Sequence, residues 1–265
     1  MKYLFLKNED DKYGPNIEFK YKNIDIKQIL ENSYGNVIPL ICLFKMDVKI
    51  IKDSNYSNIS FQEYDVIFTK GEIIPKNIIE KYSYIMFVFY TTKHSFIKNN
   101  YDISINNFEW SIPHCLISFK NLIQSEKNSI YVDCNINKEN LKSKINLQLV
   151  YSKDNNENNL LYWNNLSKCR YYINFGNVGI KNGDGFVNSA CLNIINIGSC
   201  MLNSNFKYIH PFCVCNEENE IISKILKIES NKDLYYQIIL FQKEKLIEEN
   251  LNFKNHIENS VKNKY

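Results

Sequence analysis

The chain has 265 residues, and 32 lysine and arginine residues stand against 29 aspartate and glutamate residues, leaving a net charge of +3. That length suits one large domain or two of ordinary size. Scattered lysines with a single arginine, Arg170, argue against nucleic-acid binding, which concentrates basic charge and favours the guanidinium fork.

The longest apolar runs, VIPLICLF and YIMFVFY, fall far below the ~20 residues of a membrane span. The apolar patch in MKYLFLKNEDD is shorter than the roughly 7–15 residues of a signal-peptide core. A cytoplasmic protein is expected, with its eight cysteines mostly reduced.

Along the chain, short stretches alternate β-branched or aromatic residues with polar ones and end in Asn, Gly, Asp or Lys clusters. They predict strands at 3–7, 16–22, 37–51, 59–69, 82–91, 113–119, 129–134 and 144–152, with a short helix at 24–31 capped by Asn23. This spacing suits two packed antiparallel sheets. The polar run KDNNENN then marks a boundary: a first β-sandwich over 1–152, a linker at 153–160, and a smaller β-rich domain over 161–265. In the second half NGDG predicts a hairpin turn, and SACLNIINI, KYIHPFCVCN, EIISKILKI and LYYQIILFQ read as strands, the third with helical ambiguity. The tail from Lys243 lacks Gly and Pro and places Leu246, Ile247, Leu251, Ile257 and Val261 at loose helical spacing, which predicts a C-terminal helix.

Constellations with chemical content are few. Gly176, Gly179, Gly183 and Gly185 have the wrong spacing for a dinucleotide fingerprint, and no Gly-Lys-Ser/Thr follows them. In YIHPFCVCN, His210 precedes Cys213 and Cys215, a set that could ligate a metal if the bend at Pro211 brought the three together. On a flat strand only the two thiols share a face. No cysteine opens a recognisable helix beside a base, and no GxSxG occurs. No catalytic residue, cofactor or metal is therefore expected, and His210, Cys213 and Cys215 stand as the metal candidates.

One resemblance adds to this. Phe61, Gln62 and Glu63 followed by Val66 and Phe68, the stretch HCLISFKNLIQSEKNSIYVDC and the strand SKINLQLVYS resemble the C2-domain family of calcium- and lipid-binding β-sandwiches. The likeness runs over about 37–152 and repeats faintly in the second half, where His210 stands at a position the family fills with Asp. No Asp-x-Asp occurs, so the resemblance implies a calcium-independent module. It implies a non-enzymatic scaffold or adaptor that docks proteins or, through lysines, anionic lipid at a membrane or cytoskeletal structure. The alternatives are a metalloprotein or enzyme built around His210, Cys213 and Cys215, and an assembly protein that stacks through sheet edges.

Overall fold

The computed structural model describes residues 1–11, 14–34, 37–70, 73–91, 101–106, 127–134, 136–151, 159–175, 188–199 and 207–264. Two compact units divide the chain: Met1–Pro113 with Asn250–Tyr265, and His114–Glu249. The polar run at 153–160 falls within the second.

The first unit begins with β1 (Tyr3–Asn8). A small antiparallel ribbon follows, formed by β2 (Gly14–Pro15) and β3 (Ser33–Tyr34) on either side of helix α1 (Ile26–Glu31). Then come α2 (Val37–Phe44), β4 (Asp47–Ile51), β5 (Val66–Lys70), α3 (Lys76–Lys81), β6 (Met86–Thr91) and β7 (Ile103–Asn106). The main sheet has the order β4-β1-β5-β6-β7, and every neighbouring pair in it is parallel.

Parallel strands joined by crossovers are covered on both faces, so their sequences are apolar almost without a break. Tyr3 and Phe5 of β1 share one face with Val66, Phe68, Met86 and Val88, and α2 packs on it. Leu4 and Leu6 share the other with Ile67 and Phe87, beneath a 3-10 turn at Phe61–Glu63 and α3. Helix α1 is capped by Asp25, whose carboxylate accepts the Gln28 N–H while the Gln28 side chain accepts the Asp25 N–H. That reciprocal pair displaces the cap expected at Asn23.

The second unit contains β8 (Ser129–Val132), α4 (Lys138–Lys144), β9 (Gln148–Tyr151), α5 (Asn159–Ser167) and β10 (Cys169–Asn174). A helical turn at 188–191 follows, then β11 (Ile195–Ser199), β12 (Val214–Cys215), α6 (Glu218–Glu229) and α7 (Lys232–Lys264). Its sheet has the order β12-β11-β10-β8-β9 and is again wholly parallel. Numbered in its own chain order, each sheet runs 2-1-3-4-5, one of the two common orders of doubly wound α/β folds.

The expected antiparallel, C2-like sandwich is thus overturned, and with it the family resemblance. The expected strands at 3–7, 59–69, 82–91, 129–134 and 144–152 overlap β1, β5, β6, β8 and β9, but the expected antiparallel direction is wrong, since every pair in the two five-stranded sheets is parallel. VIPLICLF is the buried helix α2, with Val37, Ile38, Leu40, Ile41 and Phe44 almost wholly enclosed, so it carries no polar face to reveal a helical period. EIISKILKI lies in α6, and LYYQIILFQ in α7. The 16–22 stretch contributes only a bridge from Phe19 to Val48 and a 3-10 turn. The NGDG turn and the 113–119 strand lie outside the described residues; the strands that flank NGDG, β10 and β11, are parallel neighbours and not a hairpin.

The last part of α7, from Asn250, belongs to the first unit and supplies Phe253, Ile257 and Val261 to its core. Phe253 meets Phe44 edge-on at 5.8 Å between ring centroids. Replacing it with alanine leaves a cavity under α2, and Phe253→Ala is expected to cost about 3–5 kcal/mol in urea unfolding. A loss below about 1 kcal/mol would mean that this turn of the helix does not close the core.

Candidate functional site

In a doubly wound sheet the crevice beyond the carboxyl ends of the strands opens where the strand order reverses. That point lies between β1 and β5 in the first unit and between β8 and β10 in the second.

Leu6 pairs in register with Thr69, so Lys7 and Lys70 stand side by side one residue further on, at the carboxyl edge of β1 and β5. Alternation puts both on the face that carries Phe5 and Phe68. Lys7 is only 3% exposed. Its ammonium donates to Asn16 Oδ1 at 2.9 Å, which uses one of its three N–H donors; among the described residues it makes no other hydrogen bond or ion pair. Lys70 Nζ lies 3.2 Å from Asp11 Oδ2. Burial lowers the Lys7 pKa; Asp11 works against that shift and Lys70 reinforces it.

The chain closes over this edge at Gly14. Its φ of +95° is a conformation side chains rarely adopt, and a Cβ there would sit 3.6 Å from the Phe5 ring and 3.7 Å from Lys7 Cδ. Among the described residues Asp11 is the carboxylate acting on both ammonium groups, and Lys7 is nearly enclosed. Such a cluster attracts anions.

The equivalent edge of the second unit has different chemistry. Ile173 pairs with Val132, and the Asp133 N–H donates to Ile173 O at 2.9 Å, which puts Asp133 and Asn174 beside one another just past that pair. Both lie on the face of Tyr131 and Tyr172, whose rings stack 5.5 Å apart. The Tyr172 hydroxyl donates to Asp133 Oδ2, and burial, then the Asp133 charge, holds that phenol far above its ordinary pKa. Asn174 is fully buried, and among the described residues neither Nδ2 nor Oδ1 has a hydrogen-bond partner.

The residues singled out in the sequence lie elsewhere. His210 caps a 3-10 turn at Pro211–Cys213, its Nδ1 accepting the Phe212 N–H at 3.1 Å, and its ring meets Phe241 edge-on at 5.0 Å. Cys213 and Cys215 are wholly buried. Burial raises both thiols, Cys215 to about 11. Among the described residues no three His, Cys, Asp or Glu side chains are placed to hold a metal ion. The glycine cluster from Gly176 to Gly185 lies outside the described residues.

No protein-family model matches the chain, and no curated protein does. One similar solved structure is that of the DNA-modifying enzyme β-glucosyltransferase, determined in the presence and absence of its substrate uridine diphosphoglucose. It is 9% identical, with 98% of this chain and 99% of that chain covered and a TM-score of 0.48. Figures this low transfer neither an activity nor a residue role.

The expectation of a non-enzymatic, calcium-independent adaptor rested on the sandwich. Two parallel sheets take its place. Lys7, Lys70, Asp11, Asp133 and Asn174 went unnoticed in the sequence. The available signal was a lysine closing an otherwise apolar run, in YLFLK and VIFTK.

The burial of the two thiols is directly checkable. Brief treatment of native protein with iodoacetamide near neutral pH should leave Cys213 and Cys215 unmodified in mass-mapped peptides, with both labelled in urea. Fast labelling of either in the native protein would contradict their enclosure.

Proposed function

We propose that the protein is an enzyme acting on a phosphorylated small molecule, whose phosphate sits at the carboxyl edge of β1 and β5 on Lys7 and Lys70. The observation that carries this reading is the Lys7 ammonium, nearly enclosed yet using one of its three donors. A buried charge without partners is costly, and a phosphate would supply both countercharge and acceptors. Lys70, held by Asp11, supplies the second positive charge, and its place beside Lys7 at the carboxyl edge follows from the strand register. A lysine with a lowered pKa beside a carboxylate in a crevice is also the pattern of reactive sites. In that setting the two ammonium groups would stabilise negative charge gathering on a phosphate leaving group.

Calorimetric titration with inorganic pyrophosphate, nucleoside diphosphates and sugar phosphates tests the reading. At least one should bind, and Lys7→Met should weaken it by about 10-fold or more, the worth of a charged hydrogen bond. The same substitution should hold or raise the melting temperature, because an apolar side chain replaces an enclosed charge. No binding by any of these anions, or equal binding by wild type and Lys7→Met, would overturn the proposal.

The pH dependence has a defined sign. The folded Lys7 pKa lies below its unfolded value, so the enclosed ammonium carries a penalty below the folded pKa. Stability of the ligand-free protein should therefore rise as pH climbs through the folded pKa towards the unfolded one. Anion affinity should fall over the same window, as the ammonium loses its proton. Affinity that instead rises there would show that Lys7 is not the anion's partner.

A further inference from the structure

The carboxyl edge of the second unit stands on observations separate from Lys7. Asn174 ends β10 with a carboxamide that is 0% exposed and, among the described residues, unpartnered at both polar atoms. Fully buried amides without partners are rare enough to call for an explanation. On one side stands Asp133, half-exposed and oriented by the Tyr172 hydroxyl. On the other, Asn174 pairs in register with Gly198, which brings no side chain into the space beside the amide.

The charge here opposes that of the first unit. Burial and the carboxylates of Asp133 and Glu218 raise the Cys134 thiol, which reaches about 11 although a backbone hydrogen bond acts the other way. Glu218 accepts the Asn137 N–H at 2.7 Å, so it too is held at this end of the sheet. A phosphate would be repelled. An amine could serve the carboxylate and the amide oxygen, yet it would leave the amide N–H groups unused.

A pair of neighbouring hydroxyls fits all of these groups. Each hydroxyl both donates and accepts, so one can receive from Asn174 Nδ2 and give to Asp133, while the other gives to Asn174 Oδ1. We propose that this edge is a second ligand site, and that it takes the vicinal hydroxyls of an uncharged sugar or ribose ring on Asn174 and Asp133. Half-exposed Asp133 forms the approach, and a ring hydroxyl must displace whatever encloses the amide in the ligand-free chain to reach Asn174. The site is independent of the one at Lys7.

Saturation-transfer NMR on the full chain with glucose, galactose, uridine and adenosine as probes tests this. At least one probe should show transfer; the hexoses and the nucleosides separate a sugar source from a ribose source. Affinity for that probe should drop at least tenfold in Asn174→Leu and stay unchanged in Lys7→Met. The melting temperature of Asn174→Leu should hold or rise, because an unpaired polar group is removed. If that variant does not fold, Asn174→Asp, which keeps the volume but loses the amide donors, should show the same loss. No transfer from any probe to wild type, or equal affinity in wild type and the Asn174 variant, would overturn the proposal and leave an internal water as the amide's partner.

Discussion

Parallel strand pairing is the constraint on which both units depend. A parallel neighbour is reached only by a crossover, and crossovers cover the faces of the sheet, so each strand must be apolar on both sides. In β1 this gives Tyr3 and Phe5 to one layer and Leu4 and Leu6 to the other. Thr69 and Asn196 are polar within the covered layers, but the charged groups of β1 and β5 come where a strand leaves them. Lys7, Lys70, Asp133 and Asn174 all stand at such exits, at the carboxyl ends.

The same strand order occurs in both units, yet the residues at the equivalent position differ in kind. The first unit sets two ammonium groups beside each other on β1 and β5. The second sets a carboxylate beside an amide on β8 and β10. One edge suits an anion and the other a neutral polar ring. Each also holds a group whose burial is poorly compensated by its neighbours, Lys7 in one case and Asn174 in the other. Locally unfavourable groups of this sort mark places where stability has been given up for binding.

Part of this was legible in the sequence. YLFL, MFVF and SIYV are strands in the structure, as their β-branched and aromatic content indicates, and the glycine-free tail is helical. Strand direction was hidden, because alternation says which residues share a face and nothing about the partner's polarity. KINLQLVYS alternates like an antiparallel strand, yet only its QLVY is strand, the edge strand β9, while its start closes α4 and leads out of it. VIPLICLF concealed its helix for the opposite reason, having no polar residue to mark a helical period. Of the sites, only residue types could be read. Lys7 looks like any surface lysine until β5 brings Lys70 alongside and the chain folds Gly14 over it.

The central claim is that ligand chemistry belongs to the carboxyl edges at the two points where the strand order reverses. Hydrogen–deuterium exchange of the full chain is the decisive measurement, run with and without saturating inorganic pyrophosphate, nucleoside diphosphate and sugar phosphate in turn. A phosphorylated ligand that binds should slow exchange in peptides that carry residues 7–11 and Lys70, with the amino ends of β1 and β5 unchanged. Protection confined to those amino ends, or none anywhere, would contradict it.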